Sequence, residues 1–275
     1  MTDWTRDIDR GEYGASNRNW GGMIVNPAVF VPTAILSLSV ILFSLIAPQA
    51  SADLFSSMRV GAVTYFDWFF MSVGNIVLLF CIAVAISPLG NIRLGGKGAT
   101  PDYSRLSWFS MLFGAGMGIG LVFYGVGEPV THFMSSMAGG AGAPLGGAAG
   151  DAAEARSLAM AATIFDWSLH PWAIYAMVGL ALAVFAYDFN LPLSMRSAFY
   201  PLLGKSVWGR AGDGIEVLAV LATIFGLATS LGLGAQQAMA GITYLYGIPS
   251  SALSIVGLIA VMGFVTFLSV RGGID

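Results

Sequence analysis

A chain of 275 residues in which 56% of side chains are apolar and 10% charged is not a soluble domain. Its 12 basic and 15 acidic side chains cannot shield that much apolar surface from water. Mean hydropathy is +0.77, so lipid is the solvent for most of the chain. A net charge of −3 gives no argument for nucleic acid or any strongly charged partner, and a single cysteine excludes a disulfide framework. Two histidines, His132 and His170, argue against a cysteine/histidine metal site.

The arm 1–23 is polar and carries both signs of charge, with no apolar stretch and cleavage site of a secretory signal. A membrane-spanning helix needs about 20 mostly apolar residues. Residues 28–47, ended by Pro48, and 68–87, ended by Pro88, meet that need. Residues 106–127 form a third uncharged run, containing six glycines. The fourth run, 155–187, carries Asp166 and His170 in its first half. No acidic, basic or histidine side chain occurs in 217–270, a length that suits two spans turning at Gly247-Ile248-Pro249-Ser250. The expected fold is therefore an all-α polytopic membrane protein of about six spans. Residues 137–151, rich in Gly and Ala, read as an irregular linker outside the membrane.

Lys and Arg in short loops mark the cytoplasmic side. The arm has Arg6, Arg10 and Arg18, the second loop Arg93, Lys97 and Arg105, and the fourth loop Arg196, Lys205 and Arg210. The first loop has only Arg59, and the third and fifth have none. Both termini are expected in the cytoplasm, with the chain in the plasma membrane.

Three segments could carry chemistry. In Gly114-Ala115-Gly116-Met117-Gly118-Ile119-Gly120, glycine at alternate positions weakens the helix by about 1 kcal/mol per residue and bares the backbone. Close helix packing and an unwound stretch facing an ion or substrate are both open readings, and they are compatible. In Phe165 to Tyr175, Pro171 offers no N–H to the carbonyl of Trp167, so a bend is expected there. On a straight helix Trp167, Trp172 and Tyr175 span an arc of about 140°. They read either as an interfacial belt or as an aromatic wall for a quaternary ammonium, which ring faces attract by about 2 kcal/mol or more when desolvated. Asp166 with His170, and Glu128 with His132, are spaced i, i+4 as helix-face pairs. Thr223 offers a hydroxyl in the fifth span. No nucleophile–base pair or metal motif supports an enzyme.

Leu106-Ser107-Trp108-Phe109-Ser110-Met111-Leu112-Phe113 leading into that glycine stretch, followed by Gly125-Val126-Gly127-Glu128-Pro129, closely resembles the betaine/choline/carnitine transporter family. So do Leu169-His170-Pro171-Trp172-Ala173-Ile174-Tyr175, Pro201-Leu202-Leu203-Gly204, and Ala222-Thr223-Ile224-Phe225-Gly226 with Ser230-Leu231-Gly232-Leu233-Gly234. The resemblance implies a LeuT-like inverted-repeat transporter preceded by two peripheral helices. The chain then divides into an arm (1–23), two peripheral helices (24–100) and an incomplete first repeat (101–275).

By the same resemblance, Trp167, Trp172 and Tyr175 belong to the aromatic box. Gly116, Met117, Gly118, Ile119 and Gly120 form the unwound substrate segment. Ala115 and Met117 would give carbonyls, and Thr223 a hydroxyl, to sodium as coupling ion; no other cofactor is implied. Leu227 stands where some sodium-coupled members have a second threonine, and Asp166 where a histidine is common. Members that move choline can carry aspartate at the position of Gly120, so glycine favours a zwitterion such as glycine betaine. Family members run to about twelve spans. The implied function is cation-coupled uptake of betaine-like compatible solutes by alternating access, in a homotrimer. The alternative is a truncated or half-size chain that transports nothing without a partner half.

Overall fold

The computed structural model describes residues 14, 16–116, 118 and 120–272. The chain is an all-α polytopic membrane protein; among the described residues five helical segments are long and apolar enough to cross a bilayer, one of them, Ala152–Asp188, running across an irregular Ser168. It forms two compact units: the described residues up to Thr100 with Asp166–Ala222, and Pro101–Phe165 with the residues from Thr223 onward.

The first unit opens with a hairpin of β1 (Arg18–Trp20) and β2 (Met23–Val25), paired Arg18 to Val25 and Trp20 to Met23. A two-residue hairpin turn needs left-handed backbone at both positions, and Gly21 and Gly22 supply it with φ of 60° and 92°. The Asn26 side chain then accepts from the Ala28 N–H at 3.1 Å, with Pro27 at the first helical position, and α1 (Pro27–Ile46) follows. This is the first expected span.

Pro48 ends α1 but also begins α2 (Pro48–Ile86), because proline is well suited to a helix's first position. The loop expected around Arg59 is thus helical. With 39 residues, α2 is about 58 Å long, nearly twice a hydrocarbon core. Asp53 and Arg59 lie in its first half and the apolar run in its second.

α6 (Leu169–Ala183) packs along α2 and ends in a π-helical turn, Val184–Asp188. The Gly95 N–H donates to the Asp188 carboxylate at 2.8 Å, which ties the loop after α2 to the end of that turn. The following segment folds tightly through α7 (Met195–Ala198), α8 (Tyr200–Leu203) and a 3₁₀ turn, Gly204–Trp208. Leu191, Val207 and Trp208 are buried there against Phe185, Phe189, Phe199 and Tyr200. Arg196, one of the basic residues counted in the fourth loop, is 5% exposed. It donates to Asp213 at 3.0 Å, Glu216 at 3.3 Å and the Val207 carbonyl at 3.4 Å.

α9 (Arg210–Tyr246) starts beside this knot and continues beyond Ala222 into the second unit. Gly247, at φ 68°, turns the chain where expected, and α10 (Ala252–Gly272) follows. Ser251 and Ser254 cap its start reciprocally, each backbone N–H donating to the other's hydroxyl at 2.9 and 3.1 Å.

In the second unit α3 (Arg105–Gly116), a π-helical turn (Gly120–Tyr124) and α4 (Gly125–Ala138) replace the single third span expected over 106–127. The linker after α4 lacks long helix, as expected, but it is compact. The Ala148 N–H donates to the fully buried Ser136's carbonyl at 2.9 Å, and the Gly140 N–H to the Gly146 carbonyl at 3.0 Å. A Cβ at Gly147 would stand 2.7 Å from the Ser136 carbonyl oxygen, so only glycine fits that crossing. α5 (Ala152–Trp167) follows, its cap formed by Asp151 Oδ1 accepting from Ala153 and Glu154 at 3.0 and 3.1 Å.

Candidate substrate-binding segments

The aromatic segment lies in the first unit, at a break in the fourth expected span. The bend expected at Pro171 occurs earlier: α5 stops at Trp167, Ser168 takes φ −89° and ψ −121°, and α6 starts at Leu169. Pro171 then falls in the first turn of a new helix, where backbone N–H groups have no intrahelical acceptor, so its missing N–H costs nothing. Asp166, expected i, i+4 from His170 on one helix, lies in α5, and His170 lies in α6 beyond the Ser168 break.

The single arc expected for Trp167, Trp172 and Tyr175 is divided for the same reason. Trp172 and Tyr175, one turn apart on α6, form a ring pair with centroids 5.8 Å apart and planes at 44°. They are 50% and 71% exposed, so this face of the unit is an open apolar wall. Trp167, 40% exposed, closes the preceding helix on the other side of the break.

The opposite side of α6 is anchored on α2. His170 Nε2 lies 3.2 Å from Asn75 Oδ1, while Asn75 Nδ2 donates to the Met71 carbonyl at 2.8 Å. The Cys81 thiol donates to the Ala173 carbonyl at 3.6 Å, and Ala173 is buried. Gly74 is buried too, with the His170 ring 3.8 Å from where its Cβ would be. Neither Asn75 nor Cys81 was singled out from the sequence, although an amide inside an apolar run is itself a signal of a helix–helix contact.

The glycine segment lies in the second unit. Regular helix ends at Gly116, the half-buried last residue of α3; Gly118 is an exposed bend, and Gly120 opens the π-helical turn. The Gly118 carbonyl accepts from the Val122 N–H at 3.3 Å. The Ala115 backbone belongs to α3. Its side chain, and Met117 and Ile119 altogether, lie outside the described residues. Thr223 is exposed on α9, in the same unit. In α4, His132 Nε2 and Glu128 Oε1 stand 3.7 Å apart, the i, i+4 contact expected from their spacing.

Residues 28–275 match the sequence model of the betaine/carnitine/choline family transporters. Among curated relatives, the glycine betaine/proline/choline transporter of Vibrio parahaemolyticus is 47% identical over 92% of this chain and 47% of its own length. Glycine betaine transporter 1 of the same organism is 47% identical over 98% of the chain and 51% of its own length. The high-affinity choline transport protein of Escherichia coli K12 is 37% identical over 91% of the chain and 36% of its length. The chain thus spans about half the length, or less, of the curated relatives it matches. A family of transporters, not of enzymes, is what both sequence and relatives point to: this chain belongs to the betaine/carnitine/choline transporter family.

Proposed function

We propose that this chain forms part of a secondary transporter for betaine-like quaternary-ammonium solutes, in which the aromatic face of α6 holds the trimethylammonium group. The Trp172–Tyr175 ring pair carries the reading: two exposed rings in one turn offer π faces to a cation that cannot donate a hydrogen bond. Trp167 completes this side of the box across the Ser168 break. Gly116 to Gly120 supply the close-approaching backbone, and Gly120 leaves the site without a counter-anion, which suits a zwitterion. The names of the relatives support betaine, and choline alongside it.

Sodium is proposed as co-substrate. A hard cation needs oxygen donors, and the carbonyls of Ala115 and Met117 with the Thr223 hydroxyl are of that kind. Alternating access moves the solute inward with the ion, and both termini face the cytoplasm. In this reading 1–23 is an arm, 24–100 holds the peripheral helices, 101–275 is part of the first repeat, and the assembly is a trimer.

Uptake of labelled glycine betaine by cells expressing the full-length protein tests the reading. Trp172→Ala is expected to raise KM about tenfold or more, as loss of a desolvated cation–π contact requires. An unchanged KM and Vmax would sink the box assignment. A second reading is that these 275 residues move nothing alone and act only with a partner half. Uptake by the 275-residue chain expressed alone would exclude it.

A further inference from the structure

The orientation of the aromatic wall has to be set by something other than its own helix. α6 restarts after Ser168, which makes no side-chain cap, so α5 does not dictate the rotation of α6 through a continuous ladder. A ring centroid about 6 Å from a helix axis moves about 1 Å for each 10° of rotation. Substrate positioning is sensitive to shifts of that size.

Lateral contacts from α2 supply the missing constraint. Asn75 Nδ2 must face the Met71 carbonyl, since that oxygen can only accept, and this turns Oδ1 toward His170. Oδ1 can only accept as well, so the 3.2 Å contact requires a proton on His170 Nε2. The amide thereby fixes both the side of α6 that faces α2 and the protonated nitrogen. Gly74 leaves room for the imidazole, and Cys81, nearly two turns further along α2, holds the Ala173 carbonyl one turn beyond His170. Trp172 is about 200° around the helix from His170. A contact at His170 therefore aims the rings away from α2.

We propose that Asn75 is a positioning residue for substrate: through His170 it sets the rotation of α6 and so directs the Trp172–Tyr175 wall. This rests on the aromatic face being the substrate site. An amide on an apolar span is unfavourable in hydrocarbon unless its hydrogen bonds are made, and here both halves of it are used.

Betaine uptake by the full-length protein, normalised to the amount in the membrane, tests the proposal. Asn75→Leu keeps the volume in an apolar span but removes the acceptor, and is expected to raise KM about threefold to tenfold, with Vmax per transporter within about twofold. Asn75→Asp keeps an oxygen acceptor at the same reach and is expected to hold KM within about twofold of wild type. In a double-mutant cycle, Asn75→Leu with His170→Ala should be no worse than the more severe single variant, since one contact carries both effects. An unchanged KM in Asn75→Leu, a loss of Vmax alone, equal defects in the Leu and Asp variants, or multiplicative effects in the cycle would each overturn the proposal. Trp172→Ala, measured in parallel, separates the two ideas. If it raises KM and Asn75→Leu does not, the substrate site stands and the positioning role fails. If Trp172→Ala itself has no effect, the site fails and the proposal with it.

Discussion

Single residues in this chain act mostly by what they leave out or bury. At Gly212 a side chain would overlap the Val207 carbonyl, part of the backbone beside the buried Arg196. Gly212→Ala is expected to destabilise the protein by about 3 kcal/mol, read as a lowered Tm of the detergent-purified protein. In the proposed site Gly120 bears on charge. Introducing Gly120→Asp should shift the ratio of choline to betaine uptake at least about tenfold toward choline, because a carboxylate near the ammonium favours a net cation. A ratio that stays fixed would remove Gly120 from the selectivity argument. The two glycines differ in how visible they are in sequence. Gly120 belongs to an alternating pattern that announces itself, whereas Gly212 gains its meaning from a carbonyl five residues away in a folded turn.

Elements are shaped by where they start and stop. Asn26-Pro27, Ser251 with Ser254, and Asp151 with the amides of Ala153 and Glu154 are helix starts that can be read from residue type. The start of α6 could not be placed that way, because Ser168 makes no capping bond and Pro171 suggested a kink instead. With Pro171 in the first turn, Pro171→Ala is expected to change stability and betaine KM little, by less than about 0.5 kcal/mol and twofold. A proline kinking a continuous helix would give a large change in the same assays. The segment between α6 and α9 behaves differently. Arg196→Ala leaves the Asp213 and Glu216 carboxylates, each about one-fifth exposed, without their cation. A loss of about 3–5 kcal/mol is expected by thermal unfolding, with Arg196→Lys intermediate because it cannot serve both carboxylates in the same fork geometry.

At the scale of the whole molecule, loop charge gives a testable topology. The one native cysteine, Cys81, is in an apolar span, so added cysteines report cleanly in a Cys81→Ala background. Gly142→Cys, at an open exposed site, is expected to react with a membrane-impermeant maleimide on intact cells, and Lys97→Cys only after permeabilisation. The opposite pattern would reverse the proposed orientation.

Composition and hydropathy by themselves determined the solvent and the helical class, because a transfer free energy summed over about 20 residues outweighs any local ambiguity. The motifs around Gly114–Gly120 and His170–Tyr175 also marked the segments that the family relationship concerns. Tertiary structure decided what depends on a partner far along the chain. Arg196 counted in the sequence only as a loop charge, and its pairing with Asp213 and Glu216, in another element, shows only in the fold. Asn75 and His170, 95 positions apart, meet only because α2 and α6 pack side by side. The Trp172–Tyr175 ring pair lies on a helix that restarts at Leu169 and packs along α2, a restart that Ser168, with no capping bond, does not announce.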